Sequence, residues 1–95
     1  MNLLHRNMQD IRERLIIALD FIDLKNPALE RKTGIKASDW SSLRNRRVRA
    51  NEDHLTAIDE IAPEFSYWIM TGRTIPDAGQ ISPEIEETRQ KLKRA

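Results

Sequence analysis

Basic side chains are concentrated in one quarter of the chain, where their density suits the binding of phosphate groups. Residues 25–50 carry eight lysine and arginine side chains against two acidic ones, a net charge of +6, whereas the rest of the chain carries −5. Such a patch on an otherwise acidic chain predicts a polyanionic partner, and a solvated charged face is the alternative. The basic residues are Lys25, Arg31, Lys32, Lys36, Arg44, Arg46, Arg47 and Arg49.

A second set of side chains in this segment is small and polar and could hydrogen-bond to the edges of nucleic-acid bases. It lies on the face of a predicted helix opposite Trp40 and Leu43, which are in phase with each other and are expected in the core. We predict that the base-reading residues are Lys36, Ala37, Ser38, Ser41, Ser42 and Asn45. The arginines predicted to reach phosphates are Arg44, Arg46, Arg47 and Arg49.

Other kinds of chemistry have little support in the sequence. The chain has no cysteine, which excludes disulfides, thiolate zinc sites and a cysteine nucleophile. His5 and His54 have no partner at metal-ligand spacing, and Ser41 and Ser42 have no histidine nearby and lie in no Gly-x-Ser-x-Gly turn. We therefore predict a protein that is not an enzyme, with no catalytic residues, no metal and no cofactor.

Helices must position these side chains, because apolar residues recur at intervals of three and four, and β-branched and aromatic residues never alternate with polar ones over the length of a strand. The sequence predicts an all-α protein. The expected helices span about 8–25, 27–33, 37–46, 52–62 and 63–71, followed by a loop at about 73–81 and a terminal helix from about 83. Their expected caps and stops are Asn7, Pro27, Gly34, Asn51, Pro63, Gly72 and Ser82.

The segment NPALERKTGIKASDWSSLRNRR contains two of these helices, which meet at a turn containing Gly34. We expect its apolar side chains to lock the pair at a steep angle against the first and fourth helices. The second helix of the pair could then stand out from the surface and enter a DNA major groove. The apolar side chains are Leu29, Ile35, Trp40 and Leu43.

This segment resembles the helix-turn-helix of phage repressors and Cro-type regulators, the lambda-repressor-like or Xre-type family. The resemblance covers about residues 8–72, because the family often continues with a basic loop, a capped helix such as NEDHLTAIDEIA, and a helix such as PEFSYWIMTG. It implies a compact five-helix domain, here with an additional C-terminal helix, in which Asn26 contacts phosphate. The family's base-reading positions fall on Lys36, Ala37, Ser38, Ser41, Ser42 and Asn45.

The chain departs from the family pattern at Glu30, four residues before Gly34. The family usually has alanine at this position, where the two helices approach each other. A glutamate here is expected to extend into solvent or to pair with a nearby cation such as Arg31 or Lys32.

The resemblance implies a sequence-specific transcriptional regulator, a phage or prophage-type repressor that binds double-stranded DNA at an inverted-repeat operator as a homodimer. Residues 1–72 would form the DNA-binding domain. Residues 73–95 would form a loop and a helix, either a frayed tail or an arm for dimerisation or for a partner. Expected dimer surfaces are the terminal helix and the fifth helix around Tyr67, Ile69 and Met70.

Two other functions are alternatives. A protein-interaction module of the same fold, such as an antitoxin or an inhibitor of a host protein, would dock through the acidic helices or the C-terminal helix. Binding of RNA or single strands usually needs exposed aromatic rings, and Tyr67 is the candidate. No segment approaches the roughly 18 apolar residues that cross a bilayer, and no secretory signal is recognisable, so we expect a cytoplasmic protein without membrane contact.

Overall fold

The computed structural model describes residues 10–94, and within this range the chain forms six α-helices and no β-strand. The predicted all-α fold is confirmed. No helix in the described range is long and apolar enough to cross a membrane. The helices are α1 (Ile11–Phe21), α2 (Asn26–Thr33), α3 (Ala37–Arg44), α4 (Glu52–Ile61), α5 (Ser66–Thr71) and α6 (Pro83–Arg94), with short 3₁₀ turns at Pro63–Phe65 and Pro76–Ala78.

Local capping chemistry sets several of the helix ends. Asn51 and His54 form a reciprocal capping box, in which the Asn51 Oδ1 accepts from the His54 backbone N–H at 2.9 Å and the His54 Nδ1 accepts from the Asn51 N–H at 3.2 Å. Gly34 ends α2 with φ 78°, a left-handed conformation that glycine adopts without steric cost. Asp10 caps α1, and the predicted cap Asn7 lies outside the described residues.

α1 and α3 end earlier than the apolar pattern predicts, because the chain turns at residues with positive φ. Asp23 has φ 58° and Arg46 has φ 60°, conformations that cannot continue a right-handed helix. After α3, the backbone N–H groups of Arg46 and Arg47 bond back to the carbonyls of Leu43 and Ser42 at 3.0 and 2.9 Å. The basic loop, residues 45–51 between α3 and α4, therefore starts directly after Arg44, and these bonds turn it back toward α3.

An apolar core joins α1 to the four helices that follow it. Trp40 and Leu43 are fully buried, as predicted. Ile69 is also fully buried, so its expected place on a dimer surface is wrong; α5 packs directly on α1 and turns Ile69 inward. Burial of a side chain of this size stabilises the fold by about 1.5–3 kcal/mol. The largest fully buried side chains are Trp40, Phe65, Leu15, Leu19, Leu29, Leu43, Ile58 and Ile69.

The segment between α5 and α6 is tied to the domain. An isolated antiparallel bridge joins Ile75 and Gln80, and the Ile81 N–H donates to the Glu64 carbonyl at 2.8 Å. Ile81 and Pro83 are buried. The start of α6 is therefore anchored on the same core as α1–α5.

Candidate nucleic-acid interface

α2 and α3 are held as a rigid pair around the turn at Gly34. Leu29 of α2 is fully buried beside the α3 core residues. Its carbonyl accepts from the Thr33 Oγ1 at 2.6 Å, and Thr33 Oγ1 in turn accepts from the Ile35 N–H at 3.1 Å. Because these bonds fix the turn, the direction in which α3 leaves the domain is also fixed.

Glu30 stabilises the start of α3. It is exposed, as expected, but its predicted pairing with Arg31 or Lys32 is not formed in the described structure. Instead, its Oε1 accepts from the Ala37 backbone N–H at 2.7 Å. A carboxylate at this position satisfies a free N–H and complements the positive end of the helix dipole. Glu30 thus caps α3 with its side chain. Lys36, the N-cap residue by backbone position, makes no such hydrogen bond with its own side chain.

The residues predicted to read bases lie on the outward side of α3. Lys36, Ser38 and Asn45 are exposed, whereas Ala37, Ser41 and Ser42 are half-buried at the edges of that side. The Asn45 Nδ2 donates to the Ser41 carbonyl at 2.9 Å and to the Ser41 Oγ at 3.2 Å. The six side chains therefore form one small polar surface, with Asn45 at its C-terminal end; their contact with bases stays a prediction.

Arg44 faces the domain and not the solvent. Its guanidinium donates to the Leu24 carbonyl at 2.7 Å and to the Asn26 Oδ1 at 2.5 Å, and it lies 3.4 Å from the Asp20 carboxylate. Its side chain is only 17% exposed. In this conformation Arg44 and Asn26, both predicted to bind phosphate, are bonded to each other, and Arg44 ties the end of α3 to the loop between α1 and α2.

Arg46 is bound to Glu13 of α1 by two hydrogen bonds of 2.7 Å, one from Nε and one from an Nη. The hydrogen bond to Glu13, together with its charge, raises the pKa of Arg46. Arg12, next to Glu13, donates to the carbonyls of Arg46 and Val48 at 3.3 and 3.4 Å. Arg12 therefore binds backbone carbonyls of the basic loop, and Glu13 binds the Arg46 side chain, so that two consecutive residues of α1 hold the loop in place.

Arg47 and Arg49 differ from the two arginines before them. Both are exposed, and neither side chain forms a hydrogen bond or ion pair with another residue in the range 10–94. Arg31, Lys32 and Lys36, near the start of α3, are also exposed and have no bonded partner in the described range. The small polar surface therefore has unpaired positive charge at both ends. The cations around this surface that have no bonded partner within residues 10–94 are Arg31, Lys32, Lys36, Arg47 and Arg49.

Two buried ionisable residues, one between α1 and α5 and one beneath α3, were not predicted. Arg14 is 6% exposed, and its Nε donates to the Ile69 carbonyl at 2.8 Å, at the C-terminal end of α5. Its pKa is lowered by burial. His54 is 2% exposed beneath α3, with its ring centroid 5.0 Å from that of Trp40, and burial lowers its pKa. The Asn51-x-x-His54 spacing was a usable capping signal, whereas nothing in the local sequence marks Arg14.

Tyr67, the expected stacking residue for single strands, is engaged by a neighbour. Its hydroxyl accepts from the Arg73 Nε at 3.3 Å, and the guanidinium carbon lies 5.8 Å from the ring centroid. The hydrogen bond from Arg73 lowers the pKa of Tyr67. The ring is half-buried and covered in part by this cation, which does not favour a role as a base-stacking platform.

Comparison with known proteins gives a structural likeness to a phage protein. The chain resembles Pf6r from the filamentous phage Pf6 of Pseudomonas aeruginosa PA01, with 28% sequence identity and a TM-score of 0.71. The superposition covers 80% of this chain and 97% of the Pf6r chain. No known family matches the sequence, and no curated protein does. The chain therefore shares its all-helical fold with a small phage protein.

Proposed function

We propose that this chain is a double-stranded DNA-binding transcriptional regulator of the phage type, which reads its operator with α3. The observation that carries the proposal is the outward side of α3, where small polar side chains lie between free cations on a rigid helix pair. The likeness to Pf6r supports a phage or prophage origin. In this proposal the protein acts in the cytoplasm and uses no catalytic residue, metal or cofactor.

The proposed mechanism follows from the geometry of the helix pair. A major groove about 12 Å wide admits one α-helix, and Ser38, Ser41 and Asn45 would then lie against base edges. Arg47 and Arg49 would contact phosphates on one flank, and Lys36, at the other end of α3, would contribute to base reading. Because α3 is already fixed by Glu30 and Arg44, little conformational entropy is lost on binding.

We further propose that the regulator binds an inverted repeat as a homodimer. One short helix with mostly serine contacts supplies limited discrimination between sequences. Two copies double the contacts and fix the half-site spacing near one helical turn, about 34 Å. Repression would then follow from occlusion of the polymerase.

A selection of binding sites from random duplex DNA tests this proposal. We expect an enriched palindrome whose affinity falls steeply with salt, because each phosphate contact contributes about 0.9 to the slope of log K against log salt concentration. As a control, Arg73→Ala removes an exposed arginine outside the proposed surface and should select the same palindrome as the natural chain. No enriched sequence, with only weak salt-sensitive retention, would overturn the proposal and favour the protein-interaction alternative.

Asn45 tests the assignment of base contacts. Asn45→Ala should relax the preference at one position of each half-site while leaving the salt slope unchanged, because an amide reads bases and carries no charge. The measurement is the same selection, repeated with the variant. An unchanged preference would remove Asn45 from the base-reading set.

A further inference from the structure

α6 begins as part of the domain and ends outside it. Ile85 packs against the core, and its backbone N–H donates to the Ser82 Oγ at 3.2 Å, so that the start of the helix is capped and fixed. From residue 87 to 94 every residue is exposed. At 1.5 Å per residue this exposed part is about 12 Å long. α6 is therefore an anchored helix with a projecting end.

The projecting end carries an apolar side chain with no cover in the described structure. Leu92 is 70% exposed, the largest value among the large apolar residues in the range 10–94. Leu92 lies seven residues after Ile85, which places the two on nearly the same side of the helix. The apolar side of α6 thus continues past the edge of its own domain.

The charges of α6 have inverse symmetry about the midpoint between Thr88 and Arg89. The triplet Glu-Ile-Glu at 84–86 is matched, at equal distance on the other side, by Lys-Leu-Lys at 91–93. When a second copy of the helix is laid antiparallel, each glutamate of one triplet lies opposite a lysine, and isoleucine lies opposite leucine. The sequence of α6 is therefore complementary to itself in the antiparallel direction only.

Interactions within one helix explain part of this pattern but not all of it. The helix dipole favours acidic residues at the start and basic residues at the end. Glu86–Arg89 and Glu87–Lys91 form ion pairs of 3.4 and 3.3 Å within α6. Neither effect explains a leucine between two lysines, since each Å² of apolar area left in water costs about 25 cal/mol.

We propose that α6 is a self-association arm, through which two copies of this chain pair antiparallel. Leu92 of each copy packs beside Ile85 of the other, while Lys91 and Lys93 face the glutamates of the first triplet. The apolar contact supplies affinity, and the charges set the orientation. The inference deepens the proposed function by naming the surface that makes the regulator a dimer.

The expected dimer is weak in the absence of DNA. A helix of twelve residues covers much less than the roughly 800 Å² per partner of a standard stable interface. We therefore expect a dissociation constant of about 10–100 µM, corresponding to about −7 to −5.5 kcal/mol. Binding of both copies to adjacent half-sites would strengthen the pairing by raising their effective concentration.

Sedimentation without DNA tests the proposal, using two charge variants of the full chain. Lys91→Glu with Lys93→Glu makes both triplets acidic, and Glu84→Lys with Glu86→Lys makes both triplets basic. We expect each variant alone to be at least tenfold weaker as a dimer, and an equimolar mixture to pair at least as tightly as the natural chain. A natural chain that is monomeric up to about 1 mM, or variants that dimerise unchanged, would overturn the proposal.

Leu92→Ala is a second test that does not depend on folding of the charge variants. Alanine favours helix, so α6 should keep its helical content by circular dichroism while the dimer weakens about tenfold. An unchanged dissociation constant would overturn the proposal, and Arg73→Ala serves as the control. A dimer that binds no DNA would contradict the proposed DNA binding and leave this inference standing. A chain that binds DNA only as a monomer would contradict this inference and the proposed homodimer but leave DNA binding by α3 standing.

Discussion

The inner and outer sides of α3 and its following loop carry similar residue types with opposite surroundings. On the inner side, Arg44 bonds to three groups of the domain, and Arg46 is held by Glu13. On the outer side, Arg47 and Arg49 have no such bonds in the described range. The arginine run thus combines two structural cations with two that are available to a ligand, a division that charge alone does not reveal.

This difference separates the residues that stabilise the fold from those that can contribute to binding. Arginine bonds to carbonyls and carboxylates on the inner side reduce the motion of α3 before any ligand arrives. Free arginines on the outer side repel one another and gain from an anionic partner. Changes on the inner side should therefore reduce stability first, and changes on the outer side should reduce binding without reducing stability.

The largest expected effect is that of Arg44→Ala on stability. The substitution leaves the Leu24 carbonyl, Asn26 and Asp20 without their shared donor, and hydrogen bonds to a charged group contribute about 1.5–3 kcal/mol. We expect a loss of about 2 kcal/mol in urea unfolding, or about 10 °C in Tm. Arg47→Ala should stay within about 0.5 kcal/mol of the natural chain. Equal losses of unfolding free energy for the two variants would show that the inner and outer arginines do not differ in their contribution to stability.

The second effect is on DNA binding and comes from the outer side. Arg47→Ala with Arg49→Ala should weaken operator binding about tenfold, or 1.4 kcal/mol, and reduce the salt slope by about 2. The unfolding free energy should not change. Fluorescence anisotropy over a range of salt concentrations provides the measurement, with Arg73→Ala as a control at an exposed arginine outside the proposed surface. A slope identical to that of the control would remove both arginines from the phosphate contacts.

The third effect concerns the link between α1 and the basic loop. Glu13→Gln and Arg46→Gln should each lower the unfolding midpoint by less than Arg44→Ala does, since Arg46 is half-exposed. The double variant should lose less than the sum of the two single losses, because both single changes break the same pair. Strict additivity in this double-mutant cycle would show that the Glu13–Arg46 contact does not hold the loop.

The smallest effect is a pH dependence from His54, which lies under α3. Burial lowers its pKa from the ordinary value of 6.5, against the opposing charges of Asp39 and Asp53. The unfolded chain therefore binds the proton at higher pH, so stability is full above about pH 6.5 and is lost as the pH falls toward the folded pKa.

The variant His54→Gln should remove this part of the pH dependence, because glutamine is a usual partner in a capping box and does not titrate. We expect the natural chain to lose more unfolding free energy than the variant between pH 7 and 5, with a slope well below the limit of about 1.4 kcal/mol per pH unit that one whole proton would give. Parallel profiles from chemical unfolding at each pH would contradict the role of His54.

Local chemistry made much of the fold predictable from the sequence. The Asn51 cap, the left-handed Gly34 and the burial of Trp40 and Leu43 each depend on residues within a few positions of one another. The all-helical fold and the outward position of the small polar residues follow from the same periodicity.

Tertiary pairing was not predictable in the same way. The side chains of Arg44 and Arg46 bond to groups between 18 and 33 residues earlier in the chain, and no spacing rule connects such distant partners. The positive φ of Arg46, unusual for a residue other than glycine, ends α3 early because the loop is clamped to α1. Ile69 is buried for a related reason, since the packing of α5 on α1 depends on the whole domain.

The most direct test of the proposed function is to map the DNA-contacting surface by NMR, titrating labelled protein with the selected duplex. We expect the changes in amide chemical shift to concentrate on α3 and on residues 45–50, with the side-chain amide of Asn45 among the largest. Shifts confined to α4 or to α6, with α3 unchanged, would contradict the assignment of α3 as the reading helix.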